Sequence, residues 1–266
     1  MLRNVCSLRN KIKNLILGSN YTFNFISKRT NISKHQYSFS VNVETAGNFF
    51  ELAALIAGRT DKNKSILGRN YSQFVKLQVE LRDQINFADK TSFNTKIKMG
   101  YGVAYGNSLY LPYIKQFFSG GPNSIRGWTV RTLGPGGYKY PDTIKVVDEL
   151  GDMQLEVSAE YRFNIFKWLN GAVFLDAGNV WLRQPDANKP NAEFNLSRFF
   201  KDIAIAGGVG LRMDFEYFVI RWDVGFPIKV PYYLEDGQWV IKDMALGNYA
   251  WRQQNLVHNL AVGYPF

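Results

Sequence analysis

MQLEVSAEYRF, residues 153–163, decides the fold. Its odd positions, Met153, Leu155, Val157, Ala159, Tyr161 and Phe163, are apolar, and its even positions, Gln154, Glu156, Ser158, Glu160 and Arg162, are polar or charged. Side chains of an extended strand point alternately to its two faces, so the stretch predicts a β-strand with one apolar and one polar face. Its length matches the roughly 9 to 11 residues with which a tilted strand crosses a bilayer.

The same alternation recurs on both sides. Tyr21, Phe23 and Phe25 mark one strand, and Tyr37, Phe39, Val41 and Val43 another. Val75, Leu77, Val79 and Leu81 face away from Lys76, Gln78, Glu80 and Arg82, and a fourth strand runs from Phe93 to Tyr105 with Lys96 and Lys98 on its other face. After 153–163 come strands at about 171–181, from Ile203 to Phe215, from Phe218 to Phe226 with Arg221 and Asp223 opposite the apolar side, and from Leu256 to Phe266. The expectation is nine strands. Short links at 28–35, 88–91, 164–169 and 215–217 alternate with long ones at 47–70, 107–151, 182–200 and 228–255. Tight turns at one end and long loops at the other are the mark of outer-membrane barrels, whose strands alternate apolar-out and polar-in.

A soluble barrel or sandwich shows the same alternation with its apolar face inward. Strand length, loop asymmetry and aromatics near strand ends (Tyr105, Tyr110, Trp168, Trp181, Tyr217 and Trp222), where an interfacial girdle lies, favour the membrane form. FFELAALIAG, 49–58, suggests a short amphipathic helix, packed on the barrel rim or carried as a loop excursion.

Composition narrows the function classes. The chain has 266 residues, 46% of them hydrophobic, and no apolar run near the roughly 18 residues of a membrane-spanning helix. A single cysteine, Cys6, excludes an internal disulfide and a multi-thiolate metal site. His35 and His258 are far apart and have no acidic residue at ligand spacing, so no metal and no cofactor is expected. Neither histidine sits near a nucleophile motif, which argues against a catalytic triad and an enzyme. The net charge of +10 is spread along the chain, apart from Arg3, Arg9, Lys11 and Lys13 at its start. Basic clusters interleaved with aromatics are missing, so nucleic acid is not an expected partner. LILG, 15–18, is shorter than the 7 to 15 apolar residues of a signal peptide.

One loop stands apart. GGPNSIRGW, 120–128, sits in a connection far longer than the usual 2 to 6 residues. Gly120 and Gly121 allow backbone angles closed to other residues, Pro122 stiffens the turn, and TLGPGGY follows at 132–138, so the loop reads as built to hold a shape. A guanidinium is always charged and presents five donors in a rigid fork; held away from water, it needs a carboxylate or several carbonyls. FLDAGNVW, 174–181, offers one. Phe174, Asp176 and Gly178 share a face opposite Val173, Leu175 and Ala177, so Asp176 points to the polar side and Gly178 leaves room for a loop folded inward. A bidentate pair of Arg126 with Asp176 would fix the loop there.

With SIRGW (Ile125, Arg126, Gly127, Trp128), FLDAG (Phe174, Asp176, Gly178) and the terminal Phe266, the chain resembles the outer-membrane assembly and translocation superfamily that includes BamA and TamA, the bacterial surface antigen family. The family patterns are Val or Ile, Arg, Gly, aromatic, and Phe, any, Asp, any, Gly. Both motifs in the proper order are more specific than either alone, and the resemblance covers most of the chain. It implies that the arginine loop tucks into the barrel and pairs with the aspartate motif, Arg126 with Asp176. It implies that LAVGYPF, 260–266, with Tyr264 and Phe266, is the recognition signal for barrel insertion.

Family members are similar to a sixteen-stranded barrel preceded by periplasmic POTRA repeats. The expected fold is therefore all-β, an antiparallel transmembrane β-barrel of which this chain is the C-terminal portion of about nine strands. Residues 1–19 are expected as an N-terminal segment, loop or incomplete strand, and 20–266 as the barrel portion with the inward-folding loop 107–151. The implied function is a protein assembly or translocation factor of the bacterial outer membrane that inserts or exports client proteins without bond-making chemistry. Implied partners are outer-membrane lipids, unfolded β-barrel clients, and periplasmic or lipoprotein accessory subunits. A client strand would pair with an exposed edge at the seam, weakened by Gly263 and Pro265. The alternative is a passive porin or ligand-binding barrel.

Overall fold

The computed structural model describes residues 15–27, 35–58, 65–66, 69–88, 90–141, 148–215 and 217–263. Among these residues eleven strands occur in chain order: β1 (Gly18–Ile26), β2 (His35–Ala46), β3 (Ser65–Ile66), β4 (Arg69–Asn70), β5 (Phe74–Ala88), β6 (Thr91–Ala104), β7 (Met153–Phe166), β8 (Leu169–Trp181), β9 (Ala204–Asp214), β10 (Val219–Lys229) and β11 (Val257–Val262). Nine of them form one sheet in the order β1-β2-β5-β6-β7-β8-β9-β10-β11, and β3 and β4 pair separately. The sheet is not closed, and β1 and β11 are its two edges. Each strand of the sheet neighbours the next in sequence, so the expected meander of period-two segments is the fold. Among the described residues three short α-helices lie in the connections: α1 (Asn48–Ile56), α2 (Phe199–Asp202) and α3 (Tyr249–Asn255), the last capped by the Asn248 side chain, which accepts from two backbone N–H groups.

The burial of β7 and β8 is inverted relative to a soluble sheet. Gln154, Glu156, Ser158, Glu160, Arg162 and Asp176 are buried, whereas Val173 and Leu175 are each 50% exposed and Val157 and Tyr161 are also exposed. On β9 and β10, Arg212, Arg221 and Asp223 are buried while Val209 and Trp222 are exposed. Water would drive the apolar face inward; hydrocarbon around the sheet removes that drive and leaves the polar face to be enclosed.

The chain forms two compact units. The first comprises residues 1–23, 41–78 and 101–116, and among its described residues Ala46, Phe74 and Leu111 pack with Ile16. Lys115 pairs with Glu44 in the same unit. The second comprises residues 24–40, 79–100 and 117–266, and its apolar cluster joins Ile125 and Leu133 of the long loop to Ala204 and Ala206 of β9, with Trp128 against them.

Two expectations are modified. Trp181 is not part of an exposed girdle: the connection after β8 folds back over it, so that Phe194 and Phe199 lie 5.7 and 5.9 Å from its ring and Nε1 donates to Asp202 at 3.3 Å. Trp168 and Trp222 do remain about half exposed, stacked on Phe215 and His258. The last strand, β11, ends at Val262, where Gly263 turns with φ 93° and donates to the Val219 carbonyl. Tyr264, Pro265 and Phe266 lie outside the described residues.

Candidate functional site

The loop closes on itself before it meets the sheet. Gly121 N–H donates to the Trp128 carbonyl at 2.7 Å, Arg131 N–H to the Ser119 carbonyl at 3.0 Å, and Gly120 N–H to Ser124 Oγ at 3.0 Å. Gly120 has φ 98°, and a Cβ there would fall 2.1 Å from the Thr129 carbonyl oxygen, so no other residue permits this turn. The turn presents Ile125 to the apolar cluster and Arg126 to the polar face of β7–β10.

Arg126 is 1% exposed, and every edge of its fork is used. Nε and Nη2 donate to the two oxygens of Asp176 at 2.8 and 2.9 Å, and the Arg126 backbone N–H adds a third bond to Asp176 at 3.1 Å. Nη1 donates to Glu160 and lies 3.8 Å from Asp223. The Phe174 ring supports the guanidinium from below, with Cζ 3.5 Å from the ring centroid. Burial alone disfavours the charged form, but Asp176, then Glu160 and Asp223, outweigh it and raise the Arg126 pKa above that of a free arginine. The charge is thus permanent.

The carboxylates are themselves shared. Glu160 also accepts from Arg162 Nε at 2.7 Å and Arg212 Nη2 at 3.0 Å, and Arg212 Nη1 bonds Asp223 at 2.6 Å. Beside this lattice, Ser119 and Ser124 both donate to Glu156, Gln154 donates to the Phe118 carbonyl, and Asn123 is held by Lys96 and Arg221. A buried charge costs several kcal/mol unless it is paired and hydrogen-bonded; here Glu160 and Asp223 each lie against three arginines, while Asp176 is given over to the fork of Arg126.

Strand register explains how these residues meet. Glu160 stands opposite Phe174, Ser158 opposite Asp176, and Phe174 opposite Gly208, which in turn faces Gly225 on β10. A lane of small residues, Ala206, Gly208 and Gly225, therefore runs beside the large polar ones. The loop backbone rests on it: a Cβ at Gly225 would lie 2.4 Å from the Arg126 carbonyl oxygen, and one at Gly127 would lie 2.6 Å from Ala206 Cβ. The Arg126 carbonyl is received by Asn259 of β11, whose Nδ2 donates at 3.0 Å.

Ile125, Arg126, Gly127, Trp128, Phe174 and Asp176 are therefore assembled in one place, with Gly120 and Gly121 at the base of the loop. Gly178 is there for a different reason from the one the sequence suggested. With φ 152°, its missing Cβ would fall 2.1 Å from the Leu155 carbonyl and 2.9 Å from Glu156 Cα, so it lets β7 approach rather than making room for the loop. Glu160, Asp223, Arg212, Glu156 and Asn259 were not singled out as partners. The period-two pattern puts them on the right face, but only the register across strands brings them to Arg126. Among the described residues no group of three His, Cys, Asp or Glu side chains is placed to hold a metal ion.

An antiparallel sheet with an enclosed ionic face, an exposed apolar face and a shaped loop docked by a buried guanidinium defines an outer-membrane β-barrel protein with an internal loop. Residues 45–241 match the Omp85 superfamily domain, and the chain belongs to that superfamily. This places it in the bacterial outer membrane. Among curated proteins it is similar to the outer membrane protein assembly factor BamA of Neisseria meningitidis serogroup B, 32% identical over 90 residues, which are 32% of this chain and 11% of that protein. Among solved structures it is similar to BamA from Haemophilus ducreyi lacking POTRA domains 1–3, at 16% identity and a TM-score of 0.46 over 92% of this chain and 54% of that one. CdiB from Acinetobacter baumannii matches at 11% identity and a TM-score of 0.38 over 92% and 41%. The aligned part is thus about half or less of each of these proteins.

Proposed function

We propose that the chain supplies the C-terminal part of an outer-membrane barrel that inserts or exports client proteins, with the Arg126 loop as its internal brace. The observation that carries this reading is the Arg126 fork on Asp176 and Glu160, buried in a chain of the Omp85 superfamily. The chemistry required is recognition and not bond making. An incoming strand needs an edge with unpaired backbone groups, and β11 pairs with β10 over Ile220–Gly225 and forms one edge of the sheet. The loop would hold the wall of β7–β10 in shape while that edge exchanges partners. Lipids, unfolded client barrels and periplasmic or lipoprotein subunits are the partners this reading calls for.

The test uses the protein in its native outer membrane. Arg126→Ala and Asp176→Ala are expected to lower the amount of folded client barrels while the protein itself still inserts, both read from heat-modifiable mobility on gels. Normal client levels in both variants would remove the loop from the function. A porin is distinguished by conductance: the assembly barrel stays nearly closed until loop 107–151 is deleted, whereas a porin conducts with it present.

A further inference from the structure

The helix α1 is oriented the wrong way round for a helix in water. Its sequence, NFFELAALI, carries one charged residue, Glu51, and that residue turns toward the protein, accepting from the Tyr71 hydroxyl at 2.7 Å. Phe50 packs on the same tyrosine with ring centroids 5.4 Å apart, and Asn48 accepts from the Tyr105 hydroxyl. The opposite face is apolar: Phe49, Leu52 and Ile56 are 67, 56 and 80% exposed, with Ala53 between them, and Leu55, one turn on from Glu51, is 68% exposed. A surface helix normally sends its polar side outward. A contiguous greasy face of this kind marks an interaction site.

What covers it is indicated by what it continues. Phe49 lines a cleft of about 240 Å³ with Leu17 and Gly18, where the chain enters β1. From there Tyr21 and Phe23 of β1 are exposed as part of the lipid-facing side of the strands. In the same unit Leu109, Tyr110 and Ile114 are exposed as well, on a segment tied down by Asn107, which bonds Gln73 and the Tyr71 carbonyl. Tyrosines with apolar neighbours at strand ends are the composition of a membrane interface. The connection that carries α1 is one of the long ones, which in this architecture lie on the extracellular side.

We infer that α1 is an interfacial anchor whose apolar face lies in the outer leaflet, at the boundary between lipid headgroups and acyl chains. Such helices sink their apolar side about 5–10 Å into that boundary. Tyr71 and Tyr105 hold the polar side against the protein, so the anchor is fixed to the sheet and not tethered by a flexible loop. The inference needs only the membrane location of the strands and is independent of any client.

The experiment places single cysteines at Leu52 or Ile56, with Asp236→Cys as an exposed reference and Cys6→Ser as background. In intact cells, and in the purified protein reconstituted into liposomes of phospholipid alone, a membrane-impermeant maleimide is expected to label Leu52→Cys and Ile56→Cys about tenfold slower than Asp236→Cys, as burial in the interface demands. An environment-sensitive fluorophore at the same positions should be quenched more by spin labels near the headgroup than by labels deep in the acyl chain. Labelling as fast as at Asp236→Cys overturns the inference. So does protection in cells that disappears in the liposomes, because a protein partner, not lipid, would then cover the helix.

Discussion

Of the strands that reach the loop at Arg126, β8 and β11 hold it in opposite ways. β8 offers Asp176, which takes three hydrogen bonds from one residue, two of them from a charged fork. β11 offers Asn259, a neutral amide with one bond to the Arg126 carbonyl. The strands differ in the same sense. β8 is paired on both sides, with β7 from Met153↔Trp181 to Phe166↔Leu169 and with β9 from Leu169↔Met213 to Gly178↔Ala204. β11 is paired on one side only, from Ile220↔Val262 to Gly225↔Val257. The loop is thus bound to the wall by a charged fork and to the edge by a single neutral bond.

The sharpest way to break this picture is Asp176→Ala. It leaves a buried guanidinium without its bidentate partner, a loss of about 3–5 kcal/mol, expected as a lowered urea midpoint of the protein in bilayers and as new trypsin cleavage after Arg126. Replacing both partners, Arg126→Met with Asp176→Leu, should cost much less than the two single changes together, because no charge is stranded. Next comes Gly225→Val, which drives a side chain into the Arg126 carbonyl and should displace the loop at a cost of about 1–3 kcal/mol while every charge remains. Phe174→Leu removes the ring under the guanidinium and should cost about 0.5–2 kcal/mol, measured by the same midpoint. The smallest effect belongs to Asn259→Ala, about 1 kcal/mol. Hydrogen exchange should then quicken at the amides of β11 while the loop keeps its protection. If Asn259→Ala loosened the loop as much as Asp176→Ala does, the contrast between wall and edge would be lost.

The strands were legible because period-two alternation needs no knowledge of the partner strand: Glu156 and Glu160 are assigned to one face by parity alone. Arg126 and Asp176 were legible as short linear patterns within a loop and a strand. Glu160, Asp223 and Arg212 were not, because their meeting depends on a stagger between β7, β8, β9 and β10 that no single strand encodes. Trp181 misled for a related reason. Its position at a strand end suits an interface, but Phe194 and Phe199 return from a loop whose path the local sequence does not announce. For Gly178 the residue type pointed to a close approach, and only the backbone of β7 showed what approaches.

The bond between Asn259 and the Arg126 carbonyl joins positions 133 residues apart. Such a contact spans β7 to β11 in sequence, and remote pairings form more slowly than local ones. The bond is a clasp that depends on the last strand of the sheet being in place. A copy whose last strand is still unpaired lacks it, but there the segment around Arg126 is still held by Asp176, so the strand and not the loop is the part expected to be open to proteases.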